Sequence, residues 1–240
     1  MKIALIGYGK MGKAIEIVAL ERGHQICAKF NSSNPLTIEK LKNSETDVAI
    51  EFTQPKLASS HIRSCADAKT PIVVGTTAWL DELPELNEYI KKNDGSMLYA
   101  SNFSVGVNIF FKINQLLARL MNKQSDYVVS IEEIHHVQKL DAPSGTAVTL
   151  ADGLVNELDQ YKNWELLSDE TSNNETIPVK ATRLPEVPGT HIIKYESDID
   201  FIELKHEAKN RKGFAIGAVI AAEYLKDKKG IFTMNDVLNL

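Results

Sequence analysis

Positive charge, cysteine and long apolar runs are all scarce in this chain of 240 residues. Lys and Arg total 27 against 32 Asp and Glu, a formal net charge of −5. That balance argues against a nucleic-acid surface as its main business, while leaving room for a local basic pocket for an anionic metabolite. Only two cysteines occur, Cys27 and Cys65. Neither has metal or redox spacing, so both read as reduced thiols of a cytoplasmic protein. No apolar stretch approaches the ~18 residues of a membrane span. The opening M-K-I-A-L-I-G-Y-G-K-M-G is a short apolar run broken by glycines, which reads as neither a signal peptide nor a span. No internal repeat or low-complexity segment stands out. The remaining composition is ordinary for a globular protein, and the length allows one large or two small domains with an ample core.

The first hundred residues alternate strand-length apolar runs with helix-like segments. The runs are K-I-A-L-I (2–6), Q-I-C-A-K-F (25–30), D-V-A-I-E-F (47–52), P-I-V-V-G (71–75) and S-M-L-Y-A-S (96–101). Helical segments fall around 11–22, 35–43, 55–68 and 80–92. This order predicts a parallel sheet covered on both faces, with right-handed crossovers. The pattern then changes. A long amphipathic helix is expected over 106–122, a strand over 126–136, a helix over 144–158 and a polar loop over 164–176. Strands are expected over 176–184, 190–197 and 198–208, the last two as an antiparallel hairpin about Ser197-Asp198. A helix rich in small apolar residues follows over 213–227. A parallel part followed by a mixed α+β part implies two domains with a boundary near Ser104, and the all-round apolar closing helix calls for burial against something substantial.

G-x-G-x-x-G at Gly7, Gly9 and Gly12 directly follows the first strand and opens the first helix. That is the setting a dinucleotide fingerprint requires. Gly7 permits the tight turn, Gly9 lets the backbone approach a pyrophosphate, and Gly12 lets helix and strand pack closely. The helix N-terminus favours the anion. The alternative is a glycine turn without a ligand. Such motifs usually carry an acid at the end of the second strand to grip the ribose 2′-hydroxyl. Here C-A-K-F-N-S-S (27–33) has no carboxylate, and Lys29 with Ser32 and Ser33 could hold a 2′-phosphate. This predicts that NADPH is accepted, alone or beside NADH, unless Lys29 only solvates the strand end. Gly75-Thr76-Thr77 and the 99–108 segment follow the fourth and fifth strands, where such sheets place ligands. Each also reads as an ordinary capped strand-to-helix loop.

The segment E-E-I-H-H-V-Q-K-L-D-A-P-S-G-T-A (132–147) admits three readings. As a metal site it lacks a Cys pair and an obvious third ligand, and neighbouring strand residues His135 and His136 face opposite ways. As structure, either histidine is a satisfied polar residue at a strand end. As chemistry, His titrates near neutrality, and Lys139 is close enough to share a site. Three basic groups would depress each other's pKa values until an anionic substrate restored them. Pro143 and Ser144 suit a helix's first turn, with Asp141 or Ser144 as its cap. Gly145 and Thr146 would then offer backbone N–H groups and a hydroxyl to a carboxylate.

This segment resembles the signature of the dihydrodipicolinate reductase family of lysine and diaminopimelate biosynthesis, E-x-H-H-x-x-K-x-D-A-P-S-G-T-A, which Glu133 to Ala147 match throughout. G-Y-G-K-M-G, G-T-T, S-N-F-S-V-G-V-N and a late R-K-G-F-A-I-G-A follow in family order, so the resemblance covers essentially the whole chain. Many members have a glycine loop one residue longer, an acid where Asn31 stands, and basic residues or His where Val137 and Gln138 stand. The resemblance implies an α/β chain with a Rossmann-type nucleotide domain (1–104 and 212–240) and an α+β mixed-sheet substrate and oligomerisation domain (105–211). It implies a cytoplasmic homotetramer without metal. The activity it implies is NAD(P)H-dependent reduction of 4-hydroxy-tetrahydrodipicolinate, a cyclic dicarboxylate, with loss of water.

His135 and Lys139 would then handle protons, and His136, Gly145 and Thr146 would bind substrate. Gly7, Tyr8, Gly9, Lys10, Met11, Gly12, Asn31, Gly75, Thr76, Thr77, Ala100, Ser101, Asn102 and Phe103 would hold the cofactor. Domain closure would bring hydride donor and acceptor together and exclude water. Two rivals remain. Another two-domain dehydrogenase would need a nucleophilic cysteine or a different acid–base set. A nucleotide sensor without turnover would have no use for proton donors.

Overall fold

The computed structural model describes residues 1–167, 174–210 and 212–240. The chain forms two compact units, Met1–Val105 with Lys212–Leu240, and Gly106–Arg211.

The first unit is a six-stranded sheet in the order β11-β5-β4-β3-β1-β2, every neighbouring pair parallel. Its strands are β1 (Lys2–Ile6), β2 (Gln25–Phe30), β3 (Val48–Glu51), β4 (Ile72–Val74), β5 (Ser96–Tyr99) and β11 (Gly230–Phe232). Period-two alternation distributes the apolar side chains to both faces. Ile3, Leu5, Val48, Ile50, Val73 and Leu98 meet α1 (Lys10–Glu21) and α7 (Lys212–Leu225). Ala4, Ile6, Ala49, Ile72, Val74 and Met97 meet α2 (Ile38–Asn43), α3 (Pro55–Ala68) and α4 (Leu83–Lys92). Double burial explains why these strands read as continuous apolar runs. β1 lies between β3 and β2, so the strand order reverses there and opens a crevice at the carboxyl ends.

The closing helix α7 buries Ala215, Gly217, Ala218, Val219, Ala221, Ala222 and Leu225. Its small residues permit a close crossing: a Cβ on Gly217 would stand 1.6 Å from the Phe103 carbonyl oxygen. β11 and the short α8 (Met234–Leu238) that follow it were not expected from the sequence. β11 is a three-residue edge strand, too short for alternation to register.

The second unit is a mixed five-stranded sheet in the order β10-β9-β6-β8-β7. β6 (Val128–His135) runs antiparallel to β9 (Thr190–Glu196) and parallel to β8 (Thr176–Arg183). β10 (Phe201–Glu207) completes the expected antiparallel hairpin, with Ser197–Asp200 as its turn. α5 (Val105–Met121) and α6 (Gly145–Val155) cover one face over Val129, Ile131, Ile177, Val179 and Ile193. The expected loop over 164–176 is corrected at its start: β7 (Asn163–Leu166) pairs in parallel with β8. Its sequence, N-W-E-L, is polar because it is an edge strand with mostly exposed side chains. The rest of that expected loop at 168–173 lies outside the described residues, as does Arg211.

Candidate functional site

In the first unit the glycine turn has the geometry its spacing implies. Gly7 has φ +95, and a Cβ there would lie 2.0 Å from the Phe52 carbonyl oxygen. A Cβ on Gly12 would lie 2.2 Å from the Gly7 carbonyl oxygen. Gly9 caps α1 without a side-chain hydrogen bond, and nothing lies within 4 Å of where its Cβ would be. Two glycines are therefore required by packing, and the middle one leaves an open cradle over a helix N-terminus. A dinucleotide's phosphates fit this arrangement.

Two clefts extend from the turn. One of about 670 Å³ runs from Gly7, Tyr8 and Gly9 past Asn31 and Ser32 to Gln54 and His61. The other, about 440 Å³, brings Gly9, Lys10 and Met11 together with Thr53 and Gly75, Thr76 and Thr77. Thr76 Oγ1 accepts the Thr53 N–H at 2.7 Å, which fastens the ends of β3 and β4 to each other. The Phe52 ring lies so close over Gly75 that a Cβ there would be 2.1 Å from it. Ala100, Ser101, Asn102 and Phe103 do not line either cleft. Phe103 is core, tilted against Phe52 at 5.7 Å, and Asn102 is buried with its Oδ1 on the Ser104 N–H. Thr53, Gln54 and His61 were missed by sequence reasoning, although they follow β3, a third strand ending at the same crevice.

Lys29 is not a bare cation. Its Nζ lies 2.6 Å from Glu16, 3.1 Å from the Tyr8 hydroxyl and 4.4 Å from the Tyr8 ring centroid. These partners raise its pKa above the ordinary lysine value. Asn31 Oδ1 is occupied as well, accepting the N–H groups of Ser33 and Asn34 at 2.9 Å. The expected Lys29 grip on a 2′-phosphate therefore competes with a resident ion pair that the sequence did not reveal. Cys65 is fully buried, and burial followed by Glu51 pushes its thiol pKa up, as for an inert structural thiol.

In the second unit the motif begins inside β6. Glu133 and His135 share the strand's inner face and are buried, whereas His136 lies just past the strand end and is half-buried. The peptide Ala142–Pro143 is cis. Ser144, rather than Asp141, caps α6: its Oγ accepts the Ala147 N–H at 3.2 Å. Asp141 instead takes Lys139 Nζ at 2.9 and 2.7 Å. Gly145 and Thr146 form the first turn of α6, with Gly145 exposed and open around its Cβ position.

The picture of three basic groups repelling one another is corrected by the acids that the fold supplies. His135 Nδ1 pairs with Glu133 Oε2, and Lys139 pairs with Asp141. Arg183 from β8 donates to Glu133 Oε1 at 2.9 Å. Burial alone would raise the Glu133 pKa, but hydrogen bonds from His135, Arg183 and Ser144 outweigh it and hold it at about 2. His191 from β9 hydrogen-bonds through Nε2 to Ser144 Oγ at 3.1 Å. Burial, then the nearby His135, pushes its pKa down to about 3, so it is a neutral imidazole. Glu133, His135 and His191 bring potential metal-ligating atoms within 4.8 Å of one another, so the third ligand absent from sequence spacing is present in space. Each already has a protein partner. Arg183 and His191 were missed because only strand register places them: His135 is opposite Arg183, and Glu133 is opposite His191.

An open glycine turn at a helix N-terminus, set at the crevice of a parallel sheet, is the arrangement of a dinucleotide-binding protein. Residues 1–103 match the family "Dihydrodipicolinate reductase, N-terminus" and residues 106–238 match "Dihydrodipicolinate reductase, C-terminus". A 4-hydroxy-tetrahydrodipicolinate reductase of Christiangramia forsetii is 52% identical over 239 residues, covering 100% of this chain and 98% of the relative. One of Methanococcus aeolicus is 36% identical over 208 residues, covering 83% of this chain and 74% of the relative. Among solved structures, a dipicolinate-bound dihydrodipicolinate reductase from Paenisporosarcina sp. TG-14 aligns with TM-score 0.81 over 97% of both chains at 24% identity, a likeness of fold. The chain belongs to the dihydrodipicolinate reductase family, whose cofactor is NAD(P)H.

Proposed function

We propose that this chain reduces 4-hydroxy-tetrahydrodipicolinate to tetrahydrodipicolinate in diaminopimelate and lysine biosynthesis. The observation that carries the reading is the 133–147 segment, which folds into one cluster of buried His135, the Lys139 turn and the capped start of α6. The unit Met1–Val105 with Lys212–Leu240 is the cofactor unit, and Gly106–Arg211 is the substrate and oligomerisation unit.

Overall, the C4 hydroxyl of the substrate is replaced by hydrogen: a hydride and a proton enter and water leaves. NAD(P)H, when bound, supplies the hydride. Gly7 to Gly12 would hold its phosphates, Asn31 would lie towards its ribose, and Gly75 to Thr77 would meet its nicotinamide half, backed by the 100–103 segment that follows β5. The proton comes from His135 Nε2 or Lys139 Nζ. The N–H groups at the start of α6, on Gly145 and Thr146, receive one substrate carboxylate, and His136 contacts the substrate. Asp141 holds Lys139 Nζ in place until the substrate's negative charge competes for it.

The protein works in the cytoplasm, where reduced nicotinamide is supplied and thiols such as Cys27 and Cys65 stay free. It assembles as a homotetramer through the second unit. Apolar side chains remain exposed there on α5 (Ile109, Ile113, Leu116 and Leu120) and around β10 (Ile199, Phe201 and Ile202), a concentration typical of an interface. Sedimentation equilibrium tests this, with four copies of the 26.7 kDa chain expected and a monomer contradicting it. For the activity, the test is NAD(P)H oxidation on addition of the lyase-generated precursor. Substrate-dependent oxidation is expected. Cofactor binding with no oxidation would favour a sensor.

A further inference from the structure

The motif gives His135 a task, and the fold gives it a partner two residues earlier on the same strand. Alternation puts Glu133 and His135 on one face, and they meet through Glu133 Oε2 and His135 Nδ1. Glu133 is fully buried. A carboxylate in that position persists as an anion only if its other lone pairs are satisfied. Its Oε1 accepts from Arg183 Nη2 at 2.9 Å and from the Ser144 N–H at 3.3 Å. Arg183 reaches further. The same Nη2 donates to the Asp141 carbonyl at 2.7 Å, and Nε donates to the Lys139 carbonyl at 3.4 Å. One side chain thus ties the turn that carries Lys139 to the carboxylate that faces His135.

We infer that Glu133 is the positioning residue of the acid–base histidine, and that Arg183 is the clamp fixing Glu133 and the Lys139 turn to each other. The inference rests on the reading of His135 as a proton-exchanging group. A carboxylate on Nδ1 keeps a proton on that nitrogen and leaves Nε2 to exchange with substrate. Gly189 lies against the ring on its Nε2 side, and a Cβ there would stand 2.9 Å from Nε2, so the glycine leaves room that a side chain would fill. Among the described residues, the charged or titratable groups near the pair are Arg183 from β8, His191 from β9, and Lys139 with Asp141 from the turn, and His206 from β10 lies beyond, next to His191. The rings of His135 and His191 meet edge to face at 5.1 Å. Glu133 is the carboxylate in contact with the His135 ring.

Two measurements test this. The first is the tautomer of His135, read from nitrogen–proton correlation spectra of histidine-labelled protein and assigned with His135→Gln. The Nδ1–H form is expected in the wild type, and the Nε2–H form would overturn the inference. The second is Glu133→Gln, which keeps size and removes charge. The expected result is a fall in kcat of roughly 10²-fold or more, by analogy with other mis-set catalytic histidines, with KM for NAD(P)H within about twofold. A merely structural role would lower thermal stability and leave the His135 tautomer as in the wild type. Wild-type kcat with an unchanged tautomer overturns the inference. Near-wild-type turnover in His135→Ala would instead remove the acid–base reading itself, and the tautomer spectra would still decide the positioning. They also decide it if Glu133→Gln does not fold.

Discussion

Position 31 sits in the cleft that begins at Gly7, with an amide at the end of β2, where dinucleotide folds that grip a ribose 2′-hydroxyl carry an acid. Asn31 Oδ1 accepts two backbone N–H groups, a task an aspartate performs equally well. Asn31→Asp should therefore keep the fold and add a charge that repels a 2′-phosphate. The NADPH-to-NADH ratio of kcat/KM should fall about tenfold, equivalent to ~1.4 kcal/mol. An unchanged ratio would show that this side chain does not face the ribose. At this scale the sequence was informative where local geometry lies in one continuous segment: the Gly7–Gly12 turn, and the capped start of α6 at Ser144. It was silent wherever a partner comes from elsewhere in the chain. Glu16 on Lys29 depends on how α1 lies on β2, and Arg183 and His191 reach the Glu133–His135 pair only through the register of β8 and β9. A one-residue slip in either strand would turn these side chains to the opposite face.

Elements with strong periodicity were legible, and short edge elements were not. β1, β2 and α3 lie where their patterns place them, because double burial or an amphipathic face writes a long signal. β7 and β11 are a polar edge strand and a three-residue edge strand, in which neither alternation nor length is available. α7 was legible as a helix, but the reason for its glycines appears only in its packing. Gly217→Ala places a methyl 1.6 Å from a backbone oxygen, so the 102–104 turn or the helix must move. A loss of about 3 kcal/mol or more is expected. Gly213→Ala, one turn earlier on the same helix, meets nothing nearer than Ser104 Oγ at 3.6 Å. It should be neutral or stabilising by up to ~1 kcal/mol. Urea midpoints of the two variants test the contrast. Equal effects would contradict the close crossing at Phe103.

For the whole molecule, the buried polar cluster sets a direction for acid stability. His191 titrates near 3 in the folded chain against 6.5 when free. The unfolded chain thus takes up a proton that the folded chain refuses, and stability present above about pH 6.5 is lost progressively toward pH 3. Glu133, at about 2 against 4.5, acts in the same direction between pH 4.5 and 2. The denaturation midpoint should therefore decline steadily below about pH 6.5, and His191→Gln should flatten the upper part of that decline. A wild-type midpoint constant down to pH 4 would contradict the assignment of His191 as a buried neutral base. The same cluster links stability to activity, because the groups that lose stability in acid surround the proposed proton donor.

His135 and Lys139 are proposed to carry the proton of the reduction. The most direct measurement is the steady-state kcat of His135→Ala and Lys139→Ala, taken together with their NAD(P)H dissociation constants. Each variant is expected to lose roughly 10²–10⁴-fold in kcat, the usual range for a missing acid–base group, while cofactor affinity barely changes. Near-wild-type turnover in both would contradict it.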